Sequence, residues 1–335
     1  MWWDDLNARA RGYASHLLSD RARRELASVT DLAVLRRRFA ELGVELPPGD
    51  GPTTETGLDR AVASRLAGGL SLLARWAGAK RTAVLGVVYG RLELQALRAL
   101  LRGAAAGVPP EARLRGITPT PRLPERVLRR LSGAAGVDGM VEQLAALGYP
   151  AARAVADRRG ALGLFSLEIL LTQGYASRAV RAARRGGRPM RRFTAWTIDL
   201  DNAGSVLLAD KWNQGAGIEE VFLPGGLVLP LETFGDLCSS SPEHRRVRLS
   251  VLFASTPYAG VFPTAGEAVP AERDVLDARR RWLKHVTRVD PLGVSTLLRV
   301  VNAMEVEAHD LRAITWGLAL GAPPDRVHAE LLAAA

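Results

Sequence analysis

The chain has 335 residues, a formal net charge of +10 and a single cysteine. That length can bury one large core or a few subdomains of ordinary size. The lone Cys238 excludes an internal disulfide and suits a reducing compartment, and its setting, DLCSSSPEH, carries no nucleophile signature. A hydrophobic content of 47% with 6% aromatics fits a soluble, mainly helical protein. The start, MWWDDLNARARGY, lacks the basic-then-apolar order of a secretory signal. The most apolar stretch, ALGLFSLEILL (161–171), carries Glu168 and is too short to span a bilayer, so any membrane is met from the side. Lys80, Lys211 and Lys284 are the only lysines. Arginine supplies the rest of the positive charge, a compositional habit that weakens the step from basic charge to nucleic acid.

Residues 19–42 place apolar side chains at helical spacing, with Asp20 able to cap the start. ELPPGDGPTTETG (45–57) is a loop by composition. Helical patterns follow at 58–77, 83–106, 124–146, 150–182, 192–213, 230–238, 269–287 and 291–320. Irregular breaks fall at 184–190, 222–230, 238–244 and 255–270. No series of alternating segments is spaced as a sheet requires. The predicted fold class is all-α.

A long internal repeat runs through these helices. ELQALRALLRGAAAGVPPE begins at Glu93, and EAHDLRAITWGLALGAPPD begins at Glu307. Each acid is followed four residues on by Leu-Arg (Leu97-Arg98, Leu311-Arg312), then by a glycine that opens G-x-P-P-acid (Gly107 to Glu111, Gly321 to Asp325). The glycine suits a left-handed helix C-cap, and the prolines suit the first turn of the next helix. Acid and arginine lie five apart, which is poor spacing for an ion pair on one helix face. A degenerate middle copy starts at Asp199, has Ala203-Gly204 in place of Leu-Arg, and meets its glycine, Gly217, four residues late. This period predicts three related helical-bundle subdomains, at about residues 1–115, 116–225 and 226–335, and not a short-repeat solenoid.

Familiar catalytic patterns are missing. GAKRT (78–82) lacks the spacing and hydroxyl of a phosphate loop. His16, His244, His285, His309 and His328 show no zinc spacing. The acid-rich string NAMEVEAHD (302–310) places Glu305, Glu307, His309 and Asp310 on different sides of one helix, so a solvated junction of packed helices is expected there, with a weak Glu305–His309 pair. The arginine clusters at 21–24, 35–39, 181–192 and 243–248 read as solvated helix faces, with a phosphate-binding surface as the alternative. Trp2-Trp3 reads as a buried or interface anchor.

LNARAR (6–11), ELQALRALLRG (93–103), DLDNAGSVLL (199–208), FLPGG (222–226), LFASTPYAG (252–260) and DPLGVSTLLRVV (290–301) form an ordered series along the chain. That series resembles the C subunit of prokaryotic V/A-type rotary ATPases, equivalent to the d subunit of the eukaryotic V-ATPase. Each third of that family carries a helix resembling acid-x-x-N-L-R. Here the first copy has Gln95-Ala96 before Leu97-Arg98, the second keeps Asp201-Asn202 without Leu-Arg, and the third has Asp310 before Leu311-Arg312.

The resemblance implies a pseudo-threefold, funnel-shaped, non-catalytic central-stalk subunit. Its partners would be the rotor shaft subunits (D and F type) and the proteolipid ring, on the cytoplasmic face of the membrane. It would transmit torque for proton or sodium transport, with no cofactor, no metal, no small-molecule substrate and no nucleic acid. Two rivals stand beside it: a basic helical nucleic-acid-binding protein, and a helical enzyme with His309 in a deep pocket.

Overall fold

A computed structural model of the chain describes residues 3–46, 54–149, 163–212, 217–262 and 270–332. Their regular structure is helical, with no strand among the described residues. In chain order the helices are α1 (Asp4–Ala14), α2 (Asp20–Ala27), α3 (Leu32–Glu41), α4 (Glu55–Ala105), α5 (Pro110–Arg113), α6 (Glu125–Ser132), α7 (Gly136–Ala146) and α8 (Leu164–Ala183). There follow α9 (Gly187–Leu207), α10 (Ala209–Trp212), α11 (Ile218–Val221), α12 (Leu231–Cys238), α13 (Pro242–Phe253), α14 (Glu272–Val289), α15 (Val294–Ala319) and α16 (Pro324–Glu330). No helix of the described residues is long and apolar enough to cross a membrane.

Local chemistry sets several boundaries that periodicity missed. The single pattern over 19–42 is two helices, α2 and α3, because Asp31 accepts the Ala33 and Val34 amides and starts a new helix. The cap of α2 is Ser19 rather than Asp20, through the Ala22 amide. The pattern over 124–146 is likewise split, into α6 and α7. The expected helix over 150–182 begins at Leu164, and its first residues up to 162 lie outside the described residues. Helices α1 and α13 carried no helical prediction.

Three helix pairs share one kind of joint. The limbs 55–77 and 79–105 of α4 meet at Gly78 (φ 62°, ψ 175°). Helices α8 and α9 meet at Gly187 (φ 77°, ψ −172°) after a 3₁₀ turn at Arg184–Gly186. Helices α14 and α15 meet at Gly293, in extended conformation (φ −80°, ψ −179°). The first two need glycine, because a Cβ makes that left-handed backbone costly. These joints precede Glu93, Asp199 and Glu307 by 15, 12 and 14 residues, so the repeat extends upstream of the strings that revealed it.

The predicted caps are present in the outer two copies. Gly107 and Gly321 both stand at φ 68°, and Pro110 and Pro324 open α5 and α16. Gly217 differs: it precedes α11 at φ −71° instead of closing α9.

One contiguous core runs from Leu6 and Phe39 through Leu70, Tyr89, Leu97 and Leu171 to Phe253, Leu297 and Leu311. Each such side chain contributes roughly 1.5–3 kcal/mol by leaving water. Helix α4 packs against α8 and α15, and α15 against α14 and α1. Trp3 is buried in this core, whereas Trp2 lies outside the described residues.

Candidate functional site

The repeated acids are buried, and two of them, Asp199 and Glu307, hold backbone amides. Asp199 on α9 accepts the amides of Leu227 (2.7 Å), Val228 (3.1 Å) and Leu229 (3.1 Å). Three residues on, Asn202 donates to the Leu223 carbonyl and accepts the Leu223 amide, both at 2.9 Å. The strings DLDN and FLPGG are therefore two halves of one contact. In the third copy Asp310 takes the place of Asn202 and accepts the Leu332 amide at 2.7 Å. In the first copy the place falls to Ala96, and Glu93 accepts the Thr120 hydroxyl at 3.3 Å. Each repeat helix thus holds a segment that follows it by about 20–30 residues.

The third copy overturns the expected solvated junction at 302–310. Glu305, Glu307 and Asp310 are only 6%, 4% and 0% exposed. Glu305 bridges Arg91 (2.9 Å) and Arg279 (3.0 Å). Glu307 binds Arg65 through both oxygens (2.9 and 3.2 Å) and accepts the Leu18 amide at 2.6 Å. Asp310 pairs with Arg23 at 2.9 Å. These arginines come from α2, α4 and α14, and sequence spacing cannot reveal partners so far apart. His309 Nδ1 lies 3.5 Å from its chain neighbour Asp310, in place of the expected pair with Glu305.

The opposite face of the same three helices lines two cavities. The larger, about 440 Å³, lies among α4, α8, α9 and α14. The smaller, about 260 Å³, lies between α4 and α15 and shares Arg91 and Glu272 with the first. Counted from the repeated acid, the same places face them in each copy. Two residues before it stand Arg91, Thr197 and Glu305, and two after it Gln95, Asp201 and His309. Five after it come Arg98, Gly204 and Arg312, and nine after it Arg102, Leu208 and Trp316. This spacing is one helical stripe. At its start Thr197 and Glu305 are buried, while at its end Arg102, Leu208 and Trp316 are exposed.

The polar groups of the cavity walls are mostly paired with one another. Arg102 binds Glu168 through two bonds of 2.7 Å. Arg98 donates to the Thr172 hydroxyl at 2.7 Å. Arg312 donates to Asp59 (2.9 Å) and to Thr118 (3.0 Å). Arg279 also lies over the Phe193 ring, 5.1 Å from its centroid. Burial raises the Asp201 carboxyl above its ordinary value, against the opposing pull of Arg98, Arg91 and Arg279. At the mouth, Phe165, Leu208 and Trp316 leave apolar surface in solvent. Phe165 stacks on Trp212 with centroids 6.4 Å apart.

Most of the clustered arginines are exposed, as expected for solvated faces, but Arg192 and Arg246 are half-buried and two more are buried. Arg23 in the 21–24 run and Arg245 in the 243–248 run are buried, and Arg245 holds Asp210 through bonds of 2.8 and 2.9 Å. Cys238 is buried, and burial pushes its thiol up to about 11, far from the range of a reactive thiolate.

The all-helical fold with two adjoining clefts, lined by paired charges and opening between exposed apolar side chains, defines an all-α protein with internal cavities. The sequence places it further. Residues 6–330 match the family described as ATP synthase (C/AC39) subunit, and the chain belongs to that family. It is similar to the C subunit of the V-type ATP synthase from each of two strains of Thermus thermophilus. Each is 30% identical over 284 residues, covering 82% of this chain and 82% of the relative.

Proposed function

We propose that this chain is the non-catalytic central-stalk subunit that couples the rotor shaft of a V/A-type ATPase or ATP synthase to its membrane ring. In this reading residues 1–115, 116–225 and 226–335 are three related units arranged as a funnel. The tip of the shaft subunits, of D and F type, enters the mouth at Arg102, Leu208 and Trp316. The opposite end rests on the proteolipid ring at the cytoplasmic face, and rotation passes through the body for proton or sodium transport.

One observation carries the reading most: equivalent positions of the three repeat helices line the same cavity system. Exposed apolar side chains at the mouth of a cleft, such as Leu208 and Trp316, suit a protein-binding surface. Torque transfer requires a body that does not yield, and close packing with buried ion pairs supplies stiffness. The far end is closed by α1. Asn7 donates to the carbonyls of Leu292 (2.7 Å) and Gly293 (3.0 Å), and Arg81 reaches Asp5 at 2.6 Å. Val289 and Leu292 stand exposed close to that end, and such surface suits a second partner.

The test is an affinity pull-down of the tagged native protein from gently solubilised membranes, followed by mass spectrometry. Shaft, catalytic and ring subunits in fixed proportion are the expected result. A chain that brings down nucleic acid, or nothing, would overturn the reading.

A further inference from the structure

One arginine cluster has no use within the fold. From Arg181 to Arg192 the chain carries six arginines and no acid, on both sides of the α8–α9 joint at Gly187. Arg181, Arg184, Arg185, Arg188 and Arg191 are exposed, and none of the five has a hydrogen-bond or ion-pair partner among the described residues. Arg188 lies in the first turn of α9, which holds no acid and whose dipole repels a cation. The other two joints are less charged. The six residues on either side of Gly78 include Arg75, Lys80 and Arg81, and Arg81 is already paired with Asp5. Those around Gly293 include Arg288, Arg299 and Asp290. The cluster sits at the end that α1 closes. A cleft of about 510 Å³ there is lined by Trp3, Asp4, Arg185, Arg188, Asp290 and Leu292 among others. Asp4 and Asp290 are the acids that line it, and Asp290 is folded back against Gly293, where a Cβ would overlap its carboxylate. Leu292 in the same cleft and Val289 three residues earlier are 58% and 75% exposed. Cations beside exposed aliphatic side chains are the composition of a membrane-surface contact. The phosphates of a nucleic acid would leave Val289 and Leu292 uncovered.

We propose that the α8–α9 joint, through Arg184, Arg185 and Arg188 with Leu292 beside them, binds anionic phospholipid headgroups at the membrane surface. That this end faces the membrane rests on the coupling reading above. The lipid contact adds a second hold on the membrane, apart from the ring. Guanidinium groups suit the site, because each can donate two parallel bonds to one phosphate. Each cation brought to an anionic surface strengthens binding roughly fivefold, and salt screens the attraction beyond about 10 Å. Headgroups move freely in the plane of a bilayer. A hold of this kind therefore draws a rotating subunit to the membrane without fixing its angle.

The experiment measures how the purified full chain partitions onto sedimented vesicles. Vesicles of phosphatidylcholine and phosphatidylglycerol in equal parts are compared with phosphatidylcholine alone. The variant Arg184→Gln/Arg185→Gln/Arg188→Gln removes the three charges at the joint. Its control, Arg115→Gln/Arg126→Gln/Arg130→Gln, removes three exposed arginines near α5 and α6, with the same change in net charge. The natural chain is expected to bind the anionic vesicles roughly tenfold or more above the neutral ones, and less as salt rises. The joint variant should lose about tenfold or more of that binding and the control less than about threefold, with unchanged melting temperatures. No binding to anionic vesicles, or equal losses in the two variants, refutes the lipid site. Binding of a single-stranded RNA at the same salt that exceeds vesicle binding and is lost in the joint variant assigns the patch to nucleic acid instead. The pull-down judges the coupling reading separately: vesicle binding without recovery of ATPase subunits overturns that reading and leaves the lipid site standing.

Discussion

Asp199 and Gly226 are locked together. A Cβ on Gly226 would clash with Oδ1 of Asp199, so only glycine lets the 222–230 loop close over that carboxylate. The same carboxylate accepts three consecutive amides, from Leu227 to Leu229. Gly226→Ala should therefore destabilise the protein by about 2 kcal/mol or more, through displacement of a buried acid and loss of its bonds. Asp199→Ala should cost a similar amount by orphaning the amides. The double variant should lose clearly less than the sum, because the smaller side chain at 199 makes room for the methyl. Urea unfolding of the four proteins measures this, and strict additivity would refute the steric account.

Glu305 holds two cations at once, Arg91 and Arg279, and Arg279 is buried. Glu305→Ala would leave guanidinium charge without its counter-ion in the interior, at a cost of about 3–5 kcal/mol. A solvated glutamate changed to alanine on a helix would cost about 0.5 kcal/mol or less. Thermal and denaturant melts separate the two outcomes widely.

How much of this could be read from the sequence depends on the range of each interaction. Gly107 and Gly321 with their following prolines were legible, because a C-cap and a first turn are decided within a few residues. The helical character of 291–320 was legible from its apolar spacing. The ion pairs of Glu305 and Glu307 were not, because Arg91 and Arg65 lie 214 and 242 residues away. The cavity stripe was hidden for a second reason. Polar residues at 91, 95, 98 and 102 have the same periodicity whether they face bulk water or an internal socket. Comparison of the three copies position by position was the available signal, since polar residues recur in all three at two of the four offsets, Arg91, Thr197 and Glu305 and then Gln95, Asp201 and His309.

Glu93 makes the sign of a pH effect testable. Burial raises its carboxyl above the ordinary value of 4.5, although Arg122, Thr120, Arg178 and Tyr149 draw it back down. Its Oε2 accepts no hydrogen bond among the described residues. A carboxyl with a raised folded pKa contributes stability below its unfolded pKa and loses it as pH rises through the folded pKa. Glu93→Gln keeps a neutral side chain of the same shape at every pH. Its melting temperature should exceed that of the natural chain at pH 8, and the difference should shrink as pH falls toward 4. A difference that grows toward acid would show that Arg122 and Arg178 hold Glu93 ionised and stabilising.

The mouth should separate binding from folding. Trp316 and Leu208 occupy the same repeat position, and both leave apolar surface in solvent. Trp316 and Leu208 are 36% and 38% exposed, so each truncation also removes packing, at a cost of about 1–3 kcal/mol, and a melt of each variant separates that loss from the change in binding. Large aromatic side chains at the centre of an interface commonly carry about 2 kcal/mol or more of binding, roughly a thirtyfold change in Kd. Trp316→Ala should therefore weaken binding of the shaft subunits by an order of magnitude or more, and Leu208→Ala by less, following the smaller area it covers. Arg102, at the same position in the first copy, is tied to Glu168 by two bonds and is already satisfied within the chain. Arg102→Ala should accordingly weaken binding least of the three. Isothermal titration with the purified shaft subunits ranks the variants, and equal losses at all three positions would refute an apolar mouth as the seat of affinity.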